Sequence, residues 1–309
     1  MISFRSSTLR SDPSASAVLQ KRLVAILNTA SGSFTPQAPA EVRTIFDGAG
    51  LAHGEVICAS PSDLDKALDE AVGRADVLVV LGGDGTIRTA AEKSGQSDNV
   101  LIPLPGGTMN MLPRALYGSR SWREALADTL GNPELRCVSG GRAGPLAFYV
   151  AAVAGAPTLW ADAREAVREG RFIEAARRAA RALRRRVSDP LDYVFDGCIT
   201  GSAGAIAVMC PLISKVMRED EEMLEAAAID TRSAGELLRL GVNTLFNDWR
   251  EDPAVVRAKV RKVVVTGHRR IPLTVDGELV RLGRRVEIEF TPLAFRSLIP
   301  ADSDEPREV

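Results

Sequence analysis

The sequence predicts an open parallel α/β domain of the Rossmann-like type, followed by an antiparallel, β-rich domain of the β-sandwich type. In the first part, unbroken apolar runs alternate with runs of helical spacing, which is typical of strands buried on both faces of a parallel sheet. Beyond Asn132-Pro133, short apolar runs are separated by Gly, Asp and Pro turns, as in antiparallel sheets. A chain of 309 residues is long enough for both domains.

The serine-rich start, residues 1–20, is expected to be disordered, and residues 21–130 to form the α/β domain. The apolar residues Val42, Ile45 and Phe46 have helical spacing, and the glycines at 48 and 50 end that helix. In chain order, the predicted elements are strand 22–27, helix 39–46, strand 54–58, helix 60–73, strand 76–80, helix 87–93 and strand 100–104.

The β-rich domain is predicted to span residues 131–290. Its expected strands cover 146–153, 191–195, 203–210, 224–229, 260–265 and 286–290. Two helices are predicted to interrupt them, an arginine-rich one at 159–186 and an apolar one at 234–249.

Three of the first domain's strands end in turns of small and polar residues. These turns are Asn28–Ser33, Leu81–Thr86 and Pro105–Asn110. Ligands of open α/β sheets bind at the carboxyl ends of the strands, so we expect the three turns to converge on one site.

The central turn, Gly82-Gly83-Asp84-Gly85-Thr86, joins a buried strand to a helix. It lacks the Gly-Lys-Ser/Thr of a Walker A loop and is not a dinucleotide Gly-x-Gly-x-x-Gly sequence. One interpretation is a strand-to-helix turn in which glycine supplies a positive φ. The other is a nucleotide-phosphate loop at a helix N-terminus, with Asp84 facing a metal or a hydroxyl.

Composition excludes several classes of protein. The net charge of −1 argues against a nucleic-acid binder that works through overall positive charge. With only two histidines, proton transfer should fall to carboxylates. The four scattered cysteines are expected to be reduced core thiols of a cytoplasmic protein, and no apolar run reaches the roughly 20 residues of a membrane span.

Four segments together resemble those of one family, the bacterial lipid kinases of the diacylglycerol kinase catalytic-domain type, which includes sphingosine and ceramide kinases. They are Asn28-Thr29-Ala30-Ser31-Gly32, Gly82-Gly83-Asp84-Gly85-Thr86, Pro105-Gly106-Gly107-Thr108-Met109-Asn110 and Asp276-Gly277-Glu278. The resemblance runs from about Arg22 to Pro300, and residues 291–300 look like the family's closing strand, which returns to the first domain.

The resemblance implies an ATP-dependent lipid kinase that uses Mg²⁺ to transfer the γ-phosphate to a lipid hydroxyl, diacylglycerol-like or related. It places the nucleotide between an α/β nucleotide-binding domain and a β-rich lipid-substrate domain. The implied cofactor-binding residues are Asn28, Ser31, Gly32, Gly82, Gly83, Asp84, Gly85, Thr86, Gly107, Thr108 and Asn110. Glu278 is the implied general base and Asp84 a second catalytic residue, with Asp276 near the metal. From the residues alone, Asp276-Gly277 is also a β-hairpin signal.

The sequence departs from the family pattern at several positions. Arg88 and Thr89 stand where an Asn-Glu pair is usual, and Met111 follows Asn110 in place of aspartate. These positions are associated with the acceptor side of the site. The family also has an Asp-Asp-Gly element, whose second aspartate holds a structural Mg²⁺. In the corresponding segment here, Glu221 can substitute as the ligand, and Glu222 takes the glycine position.

The predicted partner is a lipid at a membrane surface rather than a nucleic acid, with peripheral contact on the inner face of the membrane. The last part of the arginine-rich helix, residues 177–186, is expected to lie on anionic lipid, whereas a solvated charged face is the alternative and is favoured for its first half. Two alternatives to a lipid kinase stay open: an NAD kinase-like enzyme, and a non-catalytic nucleotide- or lipid-binding regulator with the same fold.

Overall fold

The structure is a computed structural model that describes residues 13–155, 190–214, 216–218, 220–229 and 255–301. The described residues fall into two compact units, divided between Cys137 and Val138 and again between Ala294 and Phe295. The helices predicted at 159–186 and 234–249 lie outside the described residues.

The first unit is built on a parallel sheet with the strand order β2-β1-β3-β4. Its strands are β1 (Leu23–Asn28), β2 (Glu55–Ala59), β3 (Val77–Gly82) and β4 (Val100–Pro105). The late strand β16 (Arg285–Pro300) adds a parallel neighbour to β4, with Ser297 opposite Leu101. Every residue of β3 and β4 is buried, which explains their unbroken apolar sequences.

The described helices of this unit are α1 (Pro13–Leu19), α2 (Ala38–Gly48), α3 (Leu64–Val72), α4 (Asp84–Gly95), α5 (Met111–Tyr117) and α6 (Trp122–Gly131). Helices α2 to α6 follow strands of this sheet and pack against them, and α1 precedes β1. In α2, the buried residues Ala38, Val42 and Phe46 recur every fourth position and form one apolar stripe. Ser121 and Glu124 start α6 with a reciprocal capping box.

Helix α1 lies within the serine-rich start of the chain, residues 1–20, which the sequence predicts to be disordered. Pro13–Leu19 form this helix, with Ala15 and Leu19 buried. The two side chains are four residues apart and therefore lie on one helix face. The prediction for this segment rests on its high serine content and does not use the four-residue spacing of Ala15 and Leu19.

The second unit contains two antiparallel sheets. One has the order β12-β11-β10-β7-β14-β15, and the other contains β9-β8-β13 and the first part of β16. The bounds are β5 (Pro133–Ala143), β6 (Leu146–Phe148), β7 (Ala151–Gly155), β8 (Leu191–Phe195), β9 (Ile199–Ala203), β10 (Ala205–Met209), β11 (Leu224–Ile229), β12 (Val255–Val260), β13 (Lys262–Thr266), β14 (Pro272–Val275) and β15 (Glu278–Arg281).

Side chains from both sheets share one buried core. Phe195 and Val263 come from one sheet, and Ile206 and Leu273 from the other. The two sheets therefore form a β-sandwich, and the predicted fold class, an α/β domain with an antiparallel β-rich domain, is confirmed.

Individual strands agree with the sequence to different degrees. The predicted strands 191–195 and 224–229 match β8 and β11 at both ends. The predicted strand 146–153 is two strands, β6 and β7, separated at residues 149 and 150. The predicted strand 286–290 is part of the 16-residue strand β16.

The cysteine prediction is wrong in part. Only Cys210 is buried, whereas Cys58, Cys137 and Cys198 are exposed free thiols. Among the residues that the structure describes, no helix has the length and apolarity needed to cross a membrane.

We expect Tyr117→Phe to lower the free energy of unfolding by about 1 kcal/mol, because it removes one buried hydrogen bond. The Tyr117 hydroxyl donates to the backbone carbonyl of Leu298, 3.1 Å away, and so ties α5 to the end of β16. Burial raises the pKa of Tyr117 well above its ordinary value, so the hydroxyl keeps its proton.

The measurement is urea unfolding followed by circular dichroism. Tyr193→Phe is the matched control, since Tyr193 is also buried but its hydroxyl makes no hydrogen bond to the described residues. An equal loss of stability in both variants would contradict the assigned role of the Tyr117 hydroxyl.

Candidate active site

The turns that follow β1, β3 and β4 meet at one edge of the first unit's sheet. The Ser31 hydroxyl donates to the carbonyl oxygen of Gly106 at 2.7 Å, and the Gly106 N–H donates to the carbonyl oxygen of Gly82 at 2.9 Å. The Asn28 side-chain amide donates to the Thr86 hydroxyl at 3.1 Å. The predicted convergence of the three turns therefore takes the form of direct hydrogen bonds.

Glycine is required in these turns because two backbones approach closely. A Cβ on Gly107 would lie 2.7 Å from the Cα of Gly83, and a Cβ on Gly106 would lie 2.8 Å from the backbone nitrogen of Gly82. Backbone atoms cannot move aside as a flexible side chain can. Glycine here permits contact between loops.

The interpretation that the central turn needs glycine for a positive φ is wrong. Gly82, Gly83 and Gly85 are not among the residues with positive φ, and the conformation occurs instead in the neighbouring turn, at Asn110 with φ 53°. Asparagine adopts this left-handed conformation more readily than most residues, because its short polar side chain bonds locally. The Asn110 side chain does so, accepting from the Gly107 N–H at 2.7 Å and donating to the Gly107 carbonyl at 2.8 Å.

Asp84 ties the central turn to the Asn110 turn. It is the first residue of α4, and its carboxylate accepts the N–H groups of Asn110 at 3.0 Å and Met111 at 2.6 Å. Its negative charge thus lies against two backbone donors at the start of α5. Sequence reasoning singled out Asp84 but gave no sign of these partners.

The geometry of this edge suits an anionic ligand. Helix α4 begins after Gly83 without a side-chain cap, and the first turn of a helix presents N–H groups that have no partner within the helix. The short polar side chains of Asn28, Ser31, Thr86 and Asn110 surround this turn, Gly32 lies near the Gly106 carbonyl, and Thr108 is exposed beside them. The predicted cofactor-binding residues therefore lie together, on three adjacent loops.

Asp276 and Glu278 lie in the second unit, at the turn between β14 and β15. Asp276 and Gly277 both have positive φ, 44° and 85°, and Val275 pairs with Glu278 across the turn. This is a two-residue hairpin turn of the I′ type, so the hairpin interpretation of Asp-Gly is confirmed. Glu278 is the first residue of β15 and is half-buried.

The Asp276 carboxylate is buried, with 3% of the residue exposed. It accepts three backbone N–H groups, from Tyr149 at 2.8 Å, Val150 at 2.9 Å and Ala151 at 3.0 Å. A carboxylate in such a setting is stabilised by charge-assisted hydrogen bonds, which offset its loss of hydration. These bonds fix the hairpin, and with it Glu278, against the segment between β6 and β7.

A buried thiol lies next to this carboxylate. Burial raises the pKa of Cys210 well above its ordinary value, and the negative charge of Asp276 raises that pKa further. The thiol donates to the carbonyl oxygen of Phe148 at 3.8 Å. Cys210 is therefore a protonated packing residue.

Glu221 has protein partners of its own. Its carboxylate accepts one hydrogen bond from the Lys259 ammonium group at 2.6 Å and another from the Arg218 backbone N–H at 3.0 Å. The hydrogen bond from Lys259 holds the pKa of Glu221 below its ordinary value. Lys259 lies on β12 and Asp276 beside β14, with three strands between them, a separation of roughly 19 Å at the usual strand spacing. Glu221 and Asp276 therefore cannot bind the same ion.

Within the described ranges of the chain, no group of three or more His, Cys, Asp or Glu side chains is arranged to hold a metal ion. Mg²⁺ in phosphoryl-transfer enzymes commonly takes one or two carboxylates and completes its shell with substrate phosphates and water. The metal roles of Asp276 and Glu221 stay predictions.

Comparison with known proteins supports the resemblance found in the motifs. Residues 22–141 match the family described as the diacylglycerol kinase catalytic domain. A solved diacylglycerol kinase from Bacillus anthracis str. Sterne is 16% identical with a TM-score of 0.68, covering 91% of this chain and 97% of that one. A second structure from that strain is described as a "putative diacylglycerol kinase". It is 17% identical with a TM-score of 0.70, and the match covers 91% of this chain and 98% of that one.

These findings confirm the predicted resemblance to the diacylglycerol kinase catalytic-domain family. The family match covers the three turns and the helices around them, and the solved structures share the fold along most of the chain. The coarse activity supported by the match is that of a kinase, a phosphotransferase.

We expect Gly107→Ala to destabilise the first unit by about 1–3 kcal/mol, the usual range for overpacking. The new methyl group would press on the backbone of Gly83, so the two turns must separate. Gly131→Ala is the matched control, because a Cβ on Gly131 meets nothing within 4 Å. Thermal unfolding checks the difference, and equal melting temperatures would show that the two turns are not in tight contact.

Proposed function

We propose that this protein is an ATP-dependent lipid kinase that transfers the γ-phosphate to the hydroxyl of a diacylglycerol-like lipid with the help of Mg²⁺. The observation that carries the proposal is the convergence of three glycine- and hydroxyl-rich turns on the N-terminus of α4. The family match over residues 22–141 supports the same chemistry.

The first unit supplies the nucleotide site. The turn from Gly82 to Thr86 receives the phosphates, because glycines let the backbone come close and the helix N-terminus favours negative charge. Asn28, Ser31, Thr108 and Asn110 add hydrogen bonds from the neighbouring turns. Phosphoryl transfer depends mainly on positioning and charge neutralisation, so short side chains and backbone donors are suitable groups.

Asp84, the first residue of α4, is a carboxylate within the proposed phosphate turn. When bound, Mg²⁺ would neutralise charge on the phosphates, and Asp84 would help to hold it. The two backbone N–H groups that Asp84 accepts keep its side chain in one orientation. Asp84 therefore joins the phosphate turn to the Asn110 turn whether or not it also contacts the ion.

In the second unit, Glu278 is the proposed general base for the lipid hydroxyl. A carboxylate is suited to take the proton late in a loose transition state. Asp276 has both oxygens engaged by backbone N–H groups, which favours a positioning role over metal ligation. In this proposal Asp276 fixes the hairpin, and the hairpin fixes Glu278.

We expect Glu278→Gln to lower turnover by about a hundredfold to ten-thousandfold while ATP binding persists, because the variant keeps the shape but loses the base. The measurement is transfer of labelled γ-phosphate from ATP to lipids in mixed micelles with Mg²⁺. The acceptors are diacylglycerol, ceramide, sphingoid bases and phosphatidylglycerol, with NAD as a further candidate. Glu289→Gln is the control, since Glu289 is an exposed carboxylate of the same unit.

Each outcome of this assay has one meaning. A labelled lipid that disappears with Glu278→Gln supports the kinase, whereas full activity in that variant contradicts the assignment of the base. Labelled NADP in place of lipid would support the NAD kinase-like alternative. ATP binding without any labelled acceptor would support the non-catalytic regulator.

A second prediction concerns Asp276. We expect Asp276→Asn to lower the free energy of unfolding by about 1.5–3 kcal/mol, since the uncharged amide has only one acceptor oxygen and its NH₂ group cannot accept a backbone N–H, so at least one of the three buried hydrogen bonds is lost. Turnover should fall because Glu278 is less well placed, while the Mg²⁺ concentration at half-maximal activity stays constant. Urea unfolding and a Mg²⁺ titration measure the two effects. Unchanged stability together with a raised Mg²⁺ requirement would instead make Asp276 a metal ligand.

A further inference from the structure

Two turns at one end of the second unit are joined by backbone hydrogen bonds. Residues 266–271 connect β13 to β14, and residues 281–285 lead from β15 into β16. The bonds are Gly267 N–H to Arg284 carbonyl at 2.8 Å, Ile271 N–H to Gly283 carbonyl at 3.1 Å and Leu282 N–H to Ile271 carbonyl at 3.3 Å. We refer to this pair of turns as the basic end.

The basic end is strongly cationic in a chain whose net charge is −1. Its two turns contain no acidic residue, and their exposed histidine and arginine side chains are His268, Arg269, Arg270, Arg281, Arg284 and Arg285. Glu287 pairs with Arg285 at 2.9 Å, and the exposed Asp192 lies opposite Thr266 on β8. Among the described residues, no carboxylate forms an ion pair with Arg270, Arg281 or Arg284.

Strand β15 links this cationic surface to the proposed base. Glu278 is its first residue and Arg281 its last, so their Cα atoms are roughly 10 Å apart at the usual strand rise. Leu279 is exposed to 39% and points to the same face of the strand as Arg281. An exposed leucine beside exposed arginines is a combination suited to the interface of an anionic bilayer.

We propose that the basic end docks on the surface of an anionic lipid bilayer, so that the arginines bind lipid phosphates and Leu279 enters the headgroup region. This inference rests on the proposed function, because a kinase acting on a membrane lipid must bring its base to the headgroups. The backbone hydrogen bonds between the two turns fix the main chain that carries the arginines before binding. A nucleic acid is the less favoured partner, since the chain as a whole is not basic and an exposed leucine adds nothing to phosphate binding.

The test is vesicle binding by the full chain without ATP, measured by co-sedimentation. The vesicles are phosphatidylcholine alone and phosphatidylcholine mixed with phosphatidylglycerol. The combined variant Arg270→Gln, Arg281→Gln and Arg284→Gln should bind the anionic vesicles about a hundredfold less well, at about fivefold per arginine. Added salt should weaken binding by the wild type, because exposed charges are screened.

Two control variants test whether vesicle binding depends on where the positive charges lie and on their presence. Lys21→Gln, Arg43→Gln and Lys66→Gln together remove three exposed charges from the first unit and should leave vesicle binding unchanged. Replacing Arg270, Arg281 and Arg284 by lysine keeps the charge and should retain most of the binding. Melting temperatures show whether each variant is folded.

Three results of the binding assay would overturn the inference: no binding of the wild type to anionic vesicles, wild-type binding by the glutamine variant, or preferential binding of duplex DNA or RNA. Because vesicle binding is measured without turnover, it is independent of the kinase assay. If the inference holds, the glutamine variant should also keep wild-type turnover on a dispersed short-chain diacylglycerol and lose it on vesicles. Equal loss on both acceptors would contradict a docking role.

Discussion

The turns after β3 and β4 lie backbone to backbone, and the arrangement of the first unit's candidate site depends on this contact. Glycine at 83 and 107 removes the side chains that would hold the turns apart. Once they are together, Asp84 can accept N–H groups from the opposite turn, and Asn110 can adopt its left-handed conformation. The same approach leaves the N-terminus of α4 bordered by short polar groups, which is a setting for phosphate rather than for an apolar ligand.

In the second unit, a buried carboxylate, that of Asp276, holds a turn against a neighbouring segment of backbone. Burying a carboxylate is unfavourable unless hydrogen bonds replace its hydration, and Asp276 finds three of them on one segment of backbone. Those bonds require residues 149–151 to turn their N–H groups toward the hairpin, and the interruption between β6 and β7 lies at this segment. A local irregularity in the sheet is thus coupled to the position of Glu278.

Periodicity and turn chemistry were sufficient to predict the fold class, the limits of strands such as Leu191–Phe195, and the hairpin at Asp276-Gly277. These features depend on residues close together in the chain. The partners of Asp84 and Asp276 could not be predicted, because they lie 26 and more than 120 residues away and depend on how the loops pack. The motifs identified which residues matter at these sites, while their contacts required the structure.

Strand β16 joins the two units in a single uninterrupted stretch, and its last residues lie beside β4 in the first unit's sheet. During translation, β4 is made long before that neighbour, which follows all of the second unit. Until then the hydrogen-bonding groups along one side of β4 have no strand partner and form an open edge, a feature that favours association with other chains. Completion of the first unit therefore waits for the ribosome to finish the second, and a nascent chain that pauses between them exposes this edge of β4 to other chains.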